Sequence, residues 1–117
     1  MTENEIKRNL QELVDLTLSG KSLDAFDKFY AEDLEKTDLD GKLVKGKAAN
    51  RRLGEILISK ITALRTFTCP GIIVSGNRSF VAWHVDYDHA DLGPIHAHEI
   101  AIQDWENGKI VREVFVS

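Results

Sequence analysis

All four histidines of the chain fall between His84 and His98, three of them inside two runs, Phe80-Val-Ala-Trp-His-Val-Asp-Tyr-Asp88 and Ile95-His-Ala-His-Glu-Ile-Ala-Ile102. Both runs alternate with the period of a β-strand, so His84 shares a strand face with Asp86, and His96 shares one with His98. A loop at His89–Gly93 that pairs even positions with even ones sets His84 near His98 and Asp86 near His96. Imidazole beside carboxylate is a common route to proton transfer near neutral pH, because the carboxylate orients the ring and stabilises its cation. The plainer alternative is that these groups satisfy one another at a wet sheet edge. Metal binding is a third reading: His96-x-His98 offers two imidazoles on one face, and His84 or Asp86 could complete the set. No supporting pattern around these histidines is legible, so the expectation is a domain without metal or other cofactor. Cys69 and His84 have the residue types of a nucleophile pair, but a lone strand cysteine is ordinarily a small core residue.

The elements that must position these residues follow from periodicity. Ile6, Leu10, Leu13, Leu16 and Leu18 recur near helical spacing, predicting an amphipathic helix over 3–18 that ends at Ser19-Gly20. Ser22 is the expected N-cap of a second helix carrying Leu23, Phe26, Phe29 and Tyr30. Asp33–Asp38 alternates weakly as a short strand closed by Asp40-Gly41. A third helix is expected from about Gly46 to Ser59, burying Leu53, Ile56 and Leu57. Ile61–Val74 is β-type, with a bulge or edge position at Pro70-Gly71. Gly76-Asn77 and Asn107-Gly108 are two-residue hairpin turns.

The chain has 117 residues, the length of a single domain spanning 1–117, with ordinary globular composition. Its net charge of −4 provides no global field for nucleic acid or anionic lipid. The local run Lys42, Lys45, Lys47, Arg51 and Arg52 is flanked by acidic residues and reads as a solvated face. One cysteine excludes an intrachain disulfide and suits a reducing compartment. With no signal-like N-terminus and no apolar run long enough to span a bilayer, a cytoplasmic protein is expected.

Helices followed by long antiparallel strands make an α+β domain. Phe29-Tyr-Ala-Glu-Asp33, Asp38 with Gly41, Lys45-Gly-Lys47 and Trp105-Glu-Asn-Gly-Lys-Ile-Val-Arg-Glu-Val-Phe115 carry a family resemblance. In these segments and in its order of elements the chain resembles the nuclear transport factor 2-like superfamily and, within it, the SnoaL-like group of cone-shaped half-barrels. The resemblance implies three N-terminal helices on the concave face of a strongly curved, mostly antiparallel sheet that wraps a small-molecule pocket. It also implies a convex face that commonly packs against a second subunit. The family mixes isomerases, cyclases, dehydratases and non-catalytic proteins, so it implies no one reaction.

Two further expectations rest on that resemblance. Positions lining the pocket in ketosteroid isomerases fall on Glu113 and Phe115. An unbroken hairpin at Asn107-Gly108 pairs these with Ile102 and Ile100, which places the histidines, Phe67 and Cys69 on the concave face as well. Val81, Trp83, Val85, Tyr87, Ala101 and Val114 would then form the convex face and a homodimer contact. The isomerases' general base aligns with Asp38, which could equally be a turn residue. Their tyrosine falls near Val14 and their proton-donating aspartate at Ile100, so steroid isomerisation is not expected. The reading is cofactor-independent acid–base chemistry on a small apolar organic ligand. His84, Asp86, His98 and Asp38 would be catalytic, with His96, Glu113, Phe115, Ile100, Ile102, Phe67 and Cys69 around the substrate. The rival is a non-catalytic ligand-binding or dimerisation module.

Overall fold

The structure, a computed structural model, describes residues 1–117. Three helices, α1 (Glu3–Leu18), α2 (Ser22–Phe29) and α3 (Lys47–Ser59), accompany six strands. The strands are β1 (Tyr30–Thr37), β2 (Leu43–Lys45), β3 (Ile61–Ser75), β4 (Arg78–His89), β5 (Gly93–Glu106) and β6 (Lys109–Val116). They form one sheet in the order β2-β1-β6-β5-β4-β3, antiparallel except where β1 runs parallel to β6. This is the expected α+β architecture.

Local chemistry explains the boundaries. Thr2 caps α1 through a capping box with Glu5. Ser22 is the first residue of α2 rather than its cap; Lys21 holds the cap position without a side-chain bond. Tyr30 opens β1 instead of ending α2. Asn107 and Gly108 both take positive φ, 52° and 80°, as a type I′ hairpin requires.

The core lies between the helices and one face of the sheet. Ile6, Leu10, Leu13 and Val14 of α1 and Ala25 and Phe29 of α2 pack on Leu34, Val81, Trp83, Ala101, Trp105 and Ile110. The odd positions of β4 and β5 are therefore the covered ones, and Val81 and Ala101 are fully buried. The proposed convex contact of Val81, Trp83, Val85 and Ala101 is thus overturned: these residues are core.

The cause is a β-bulge. Glu106 pairs with Lys109 and Trp105 with Ile110, but Asp104 then pairs with Arg112, leaving Val111 as an extra residue on β6. Beyond it Gln103 faces Glu113, Ile102 faces Val114 and Ala101 faces Phe115, one position off the unbroken ladder. A one-residue shift exchanges the faces. Glu113 and Phe115 do face the helices, but Ile100, Ile102, His84, His96 and His98 do not share their face. β3 shifts too, at Leu64/Thr66 and across Cys69-Pro70, so Phe67 pairs with Val85 and Thr68 with His84.

Helix α3 also departs from expectation. Asn50 is its one buried residue, while Leu53, Ile56 and Leu57 stand about half exposed. The helix packs mainly against α2, β1 and β2, and Asn50 ties it down by donating to the carbonyls of Val44 and Gly46 at 3.1 and 2.8 Å.

Candidate functional site: two faces of one sheet

On the covered face a chain of buried polar groups crosses the sheet. The Tyr30 hydroxyl donates to Glu113 Oε2 at 2.6 Å, and Gln103 Nε2 donates to the same oxygen at 2.7 Å. Ser79 Oγ donates to Gln103 Oε1 at 2.7 Å and accepts from Trp105 Nε1 at 2.8 Å. Glu113 is only 2 % exposed, and burying a carboxylate without donors would be costly. Here Tyr30 and Gln103 supply them, and burial together with the charge of Glu113 holds the Tyr30 phenol well above its usual pKa, so it remains a donor. Packing of α1 and α2 over this end seals the network, which supports the fold rather than meeting solvent.

Farther along the same face burial becomes partial, at Glu99, Ala97 and Ile95. Glu99 lies opposite Trp83 in the β4–β5 ladder, and Phe67 meets the Trp83 ring edge-on at 5.3 Å. Burial pushes the Glu99 carboxyl above the ordinary carboxylate range; the charge of Asp38 adds to the shift and Lys36 opposes it. Lys36 Nζ lies 3.8 Å from Asp38 and 5.1 Å from the centre of the Phe115 ring. Tyr87 is raised as well, by burial and by Glu99. Asp38, Glu99 and Lys36 thus share an electrostatic neighbourhood beside Trp83, Phe67 and Phe115. Glu99 is the residue that sequence reasoning missed. Its signal was present, a carboxylate at an inward position beside Ala97 and Ala101, but the reversed faces turned it outward.

The ketosteroid isomerase positions sort accordingly. Val14 is core, and Ile100 lies on the uncovered face at 36 % exposure. The carboxyl that stands on the inner face is the adjacent Glu99.

The uncovered face holds the other expected residues. His84 pairs with His98 and Asp86 with His96, as the even-to-even register requires. No imidazole–carboxylate contact forms, however. Arg65 donates through Nε and Nη2 to Asp86 Oδ1 at 3.0 and 2.9 Å, and through Nη2 to Asp88 at 2.8 Å. The rings instead meet one another: His84 stacks on His98 with centroids 4.2 Å apart, and His84 Nε2 lies 2.9 Å from His96 Nε2. His89 stands apart, buried, with Nδ1 accepting the backbone N–H groups of Asp91 and Leu92 that close the β4–β5 turn. Cys69 packs against the core and burial raises its thiol pKa, which argues against a nucleophile. Ile100 joins Pro70, Ile72, Ile73, Phe80 and Ala82 around a shallow apolar groove of about 330 Å³ on the uncovered face. A larger polar hollow of about 560 Å³ lies near the Asn77 and Glu106 turns, where Arg78 and Asp104 neutralise each other.

A model of the SnoaL-like domain matches residues 1–117. No curated protein matches the chain. Among solved structures, a Mesorhizobium loti protein provisionally described as a SnoaL-like polyketide cyclase superposes with a TM-score of 0.87 at 21 % identity, covering 100 % of both chains. A Burkholderia xenovorans NTF-2-like protein of unknown function gives 0.79 at 21 % identity, covering 97 % of this chain and 83 % of that one. A Catenulispora acidiphila protein with a ketosteroid isomerase-like fold, in complex with trimethylamine, gives 0.74 at 11 % identity, covering 93 % and 84 %. At these identities the likeness is one of fold.

Proposed function

Because this chain belongs to the SnoaL-like domain family over its whole length, we propose that it performs cofactor-independent acid–base chemistry on a small, mostly apolar organic molecule. The site is the open end of the helix-covered face. The observation that carries the reading is Glu99, a half-buried carboxyl that retains its proton more firmly than usual, beside the exposed carboxylate of Asp38. Two carboxyl groups in unlike environments divide the work of acid and base. Asp38 takes a proton from carbon, while Glu99 donates to the oxygen on which negative charge develops. Trp83, Phe67 and Phe115 give the apolar walls. Cyclisation, isomerisation and dehydration all begin with such a step. A solved structure of this fold in complex with trimethylamine supports the idea that the fold accommodates small organic molecules.

The test is hydrogen–deuterium exchange at the α-carbon of cyclic 1,3-diketones and β,γ-unsaturated ketones, followed by NMR. The protein should accelerate exchange, and Asp38→Asn or Glu99→Gln should each reduce that acceleration by about 10²-fold or more. Exchange indifferent to both substitutions would remove the proposal.

A second reading is a binding or dimerisation module without catalysis. The apolar groove at Ile73, Phe80 and Ile100 supports it, being open on the face that no helix covers. The homodimer belongs to this proposal, moved from the odd positions to the even ones.

A further inference from the structure

On the uncovered face we infer a transition-metal site in which His84, His96 and His98 hold one divalent ion of the zinc class, with water completing the coordination. It lies on the opposite side of the sheet from Glu99 and does not depend on the acid–base reading. It also departs from the expectation of a metal-free domain.

Three observations carry it. First, the ligand nitrogens of the three imidazoles all lie within 4.8 Å of one another. Nitrogens around a tetrahedral zinc ion, each about 2.0–2.1 Å from the metal, stand about 3.3 Å apart. The 2.9 Å between the Nε2 atoms of His84 and His96 is therefore within a small ring rotation of that geometry. Second, the frame is rigid: His84 is directly opposite His98, and β4 and β5 pair without a register shift from Arg78 to His89. A site on an unbroken ladder holds its ligands better than one on a loop. Third, the rings have no other hydrogen-bond partner. The facing nitrogens of His84 and His96 can share one proton between them at most, whereas a cation would satisfy all three lone pairs.

The donor chemistry narrows the ion. Asp86, next along the face, is engaged by Arg65, which leaves a set of nitrogens only. Imidazole donors favour zinc, copper and nickel over calcium and magnesium, which prefer oxygen. Three histidines with an open position for water are also a donor set used by catalytic zinc.

The experiment uses the full chain without a polyhistidine tag, stripped with chelator and dialysed. Calorimetric titration with Zn²⁺ should give one equivalent per chain. Titration with Co²⁺ should give the intensified visible absorption of a four-coordinate ion, which Zn²⁺ then abolishes. Saturating zinc should raise the melting temperature, since a ligand bound only by the native state adds RT ln(1 + [L]/Kd). His98→Asn and His84→Gln should weaken zinc by at least about tenfold, while Asp86→Asn leaves it unchanged. His98 is exposed, so its variant should melt like the metal-free parent, which separates lost ligation from lost folding. Zinc affinity unaltered in His98→Asn, half an equivalent per chain, or no binding at about micromolar metal would each overturn the assignment.

Discussion

Glu99 shows how the surroundings of one side chain change its hold on a proton. Its carboxyl gains a proton affinity that a surface glutamate lacks, because half of it leaves water and Asp38 adds a like charge. That has a consequence for stability with a definite sign. The native pKa lies above the unfolded one, so the group's contribution is complete below the unfolded value and declines as pH rises through the native value. Glu99→Gln keeps the neutral form at every pH. Melting curves of the two proteins should coincide near pH 4, and the variant should melt progressively higher than the parent as the buffer approaches pH 8. A gap that narrowed with rising pH would mean that Glu99 is held as an anion.

At the scale of elements, the bulge at Val111 decides which residues meet. Because Val111 is the extra residue, deleting it leaves Trp105 opposite Ile110 and Gln103 opposite Glu113. Deleting Val114, in the regular part of β6, would turn Phe115 outward instead. Urea unfolding should show a loss on the order of 1–2 kcal/mol for the Val111 deletion and more than about 4 kcal/mol for the Val114 deletion. Much of the fold was legible from sequence, since helical spacing marked α1 and strand alternation marked β4 and β5. The even-to-even pairing of His84 with His98 followed from loop length alone. The bulge was not legible: Lys109-Ile-Val-Arg-Glu113 carries no glycine or proline to mark an extra residue, and tertiary packing of Ile110 and Glu113 selects it. A ladder drawn without that extra residue inverts the faces, hides Glu99 and puts His84, His96 and His98 on the wrong side. β2 was too short to show a period, and Asp86 was assigned to imidazole because Arg65 gave no local sign of reaching across from β3.

For the whole molecule, the uncovered sheet face is the surface that the proposed homodimer would use. Ile73 is 65 % exposed beside a groove that also takes in Ile100 and Phe80, and leaving such area wet forgoes about 25 cal/mol per Å². Flanking charges are paired within the chain, Arg65 with Asp86 and Arg78 with Asp104, so two identical faces would meet without net repulsion. Sedimentation should give twice the chain mass, and the double variant Ile73→Glu, Ile100→Glu should give a folded monomer. Trp83→Glu should instead abolish cooperative unfolding, because Trp83 is core. A parent that sediments as a monomer would leave this face without a partner of its own kind. No helix is long and apolar enough to cross a membrane. The loose attachment of α3 has a different kind of implication. The core draws no apolar side chain from this helix, so changes at Leu53, Ile56 and Leu57 alter its outer face without altering what holds the domain together. Selection acting on that face and selection for folding would then fall on separate residues, which relaxes the usual trade between surface change and stability. A scaffold arranged in this way can remodel a whole helix face by drift, while its folding remains out of reach of the change.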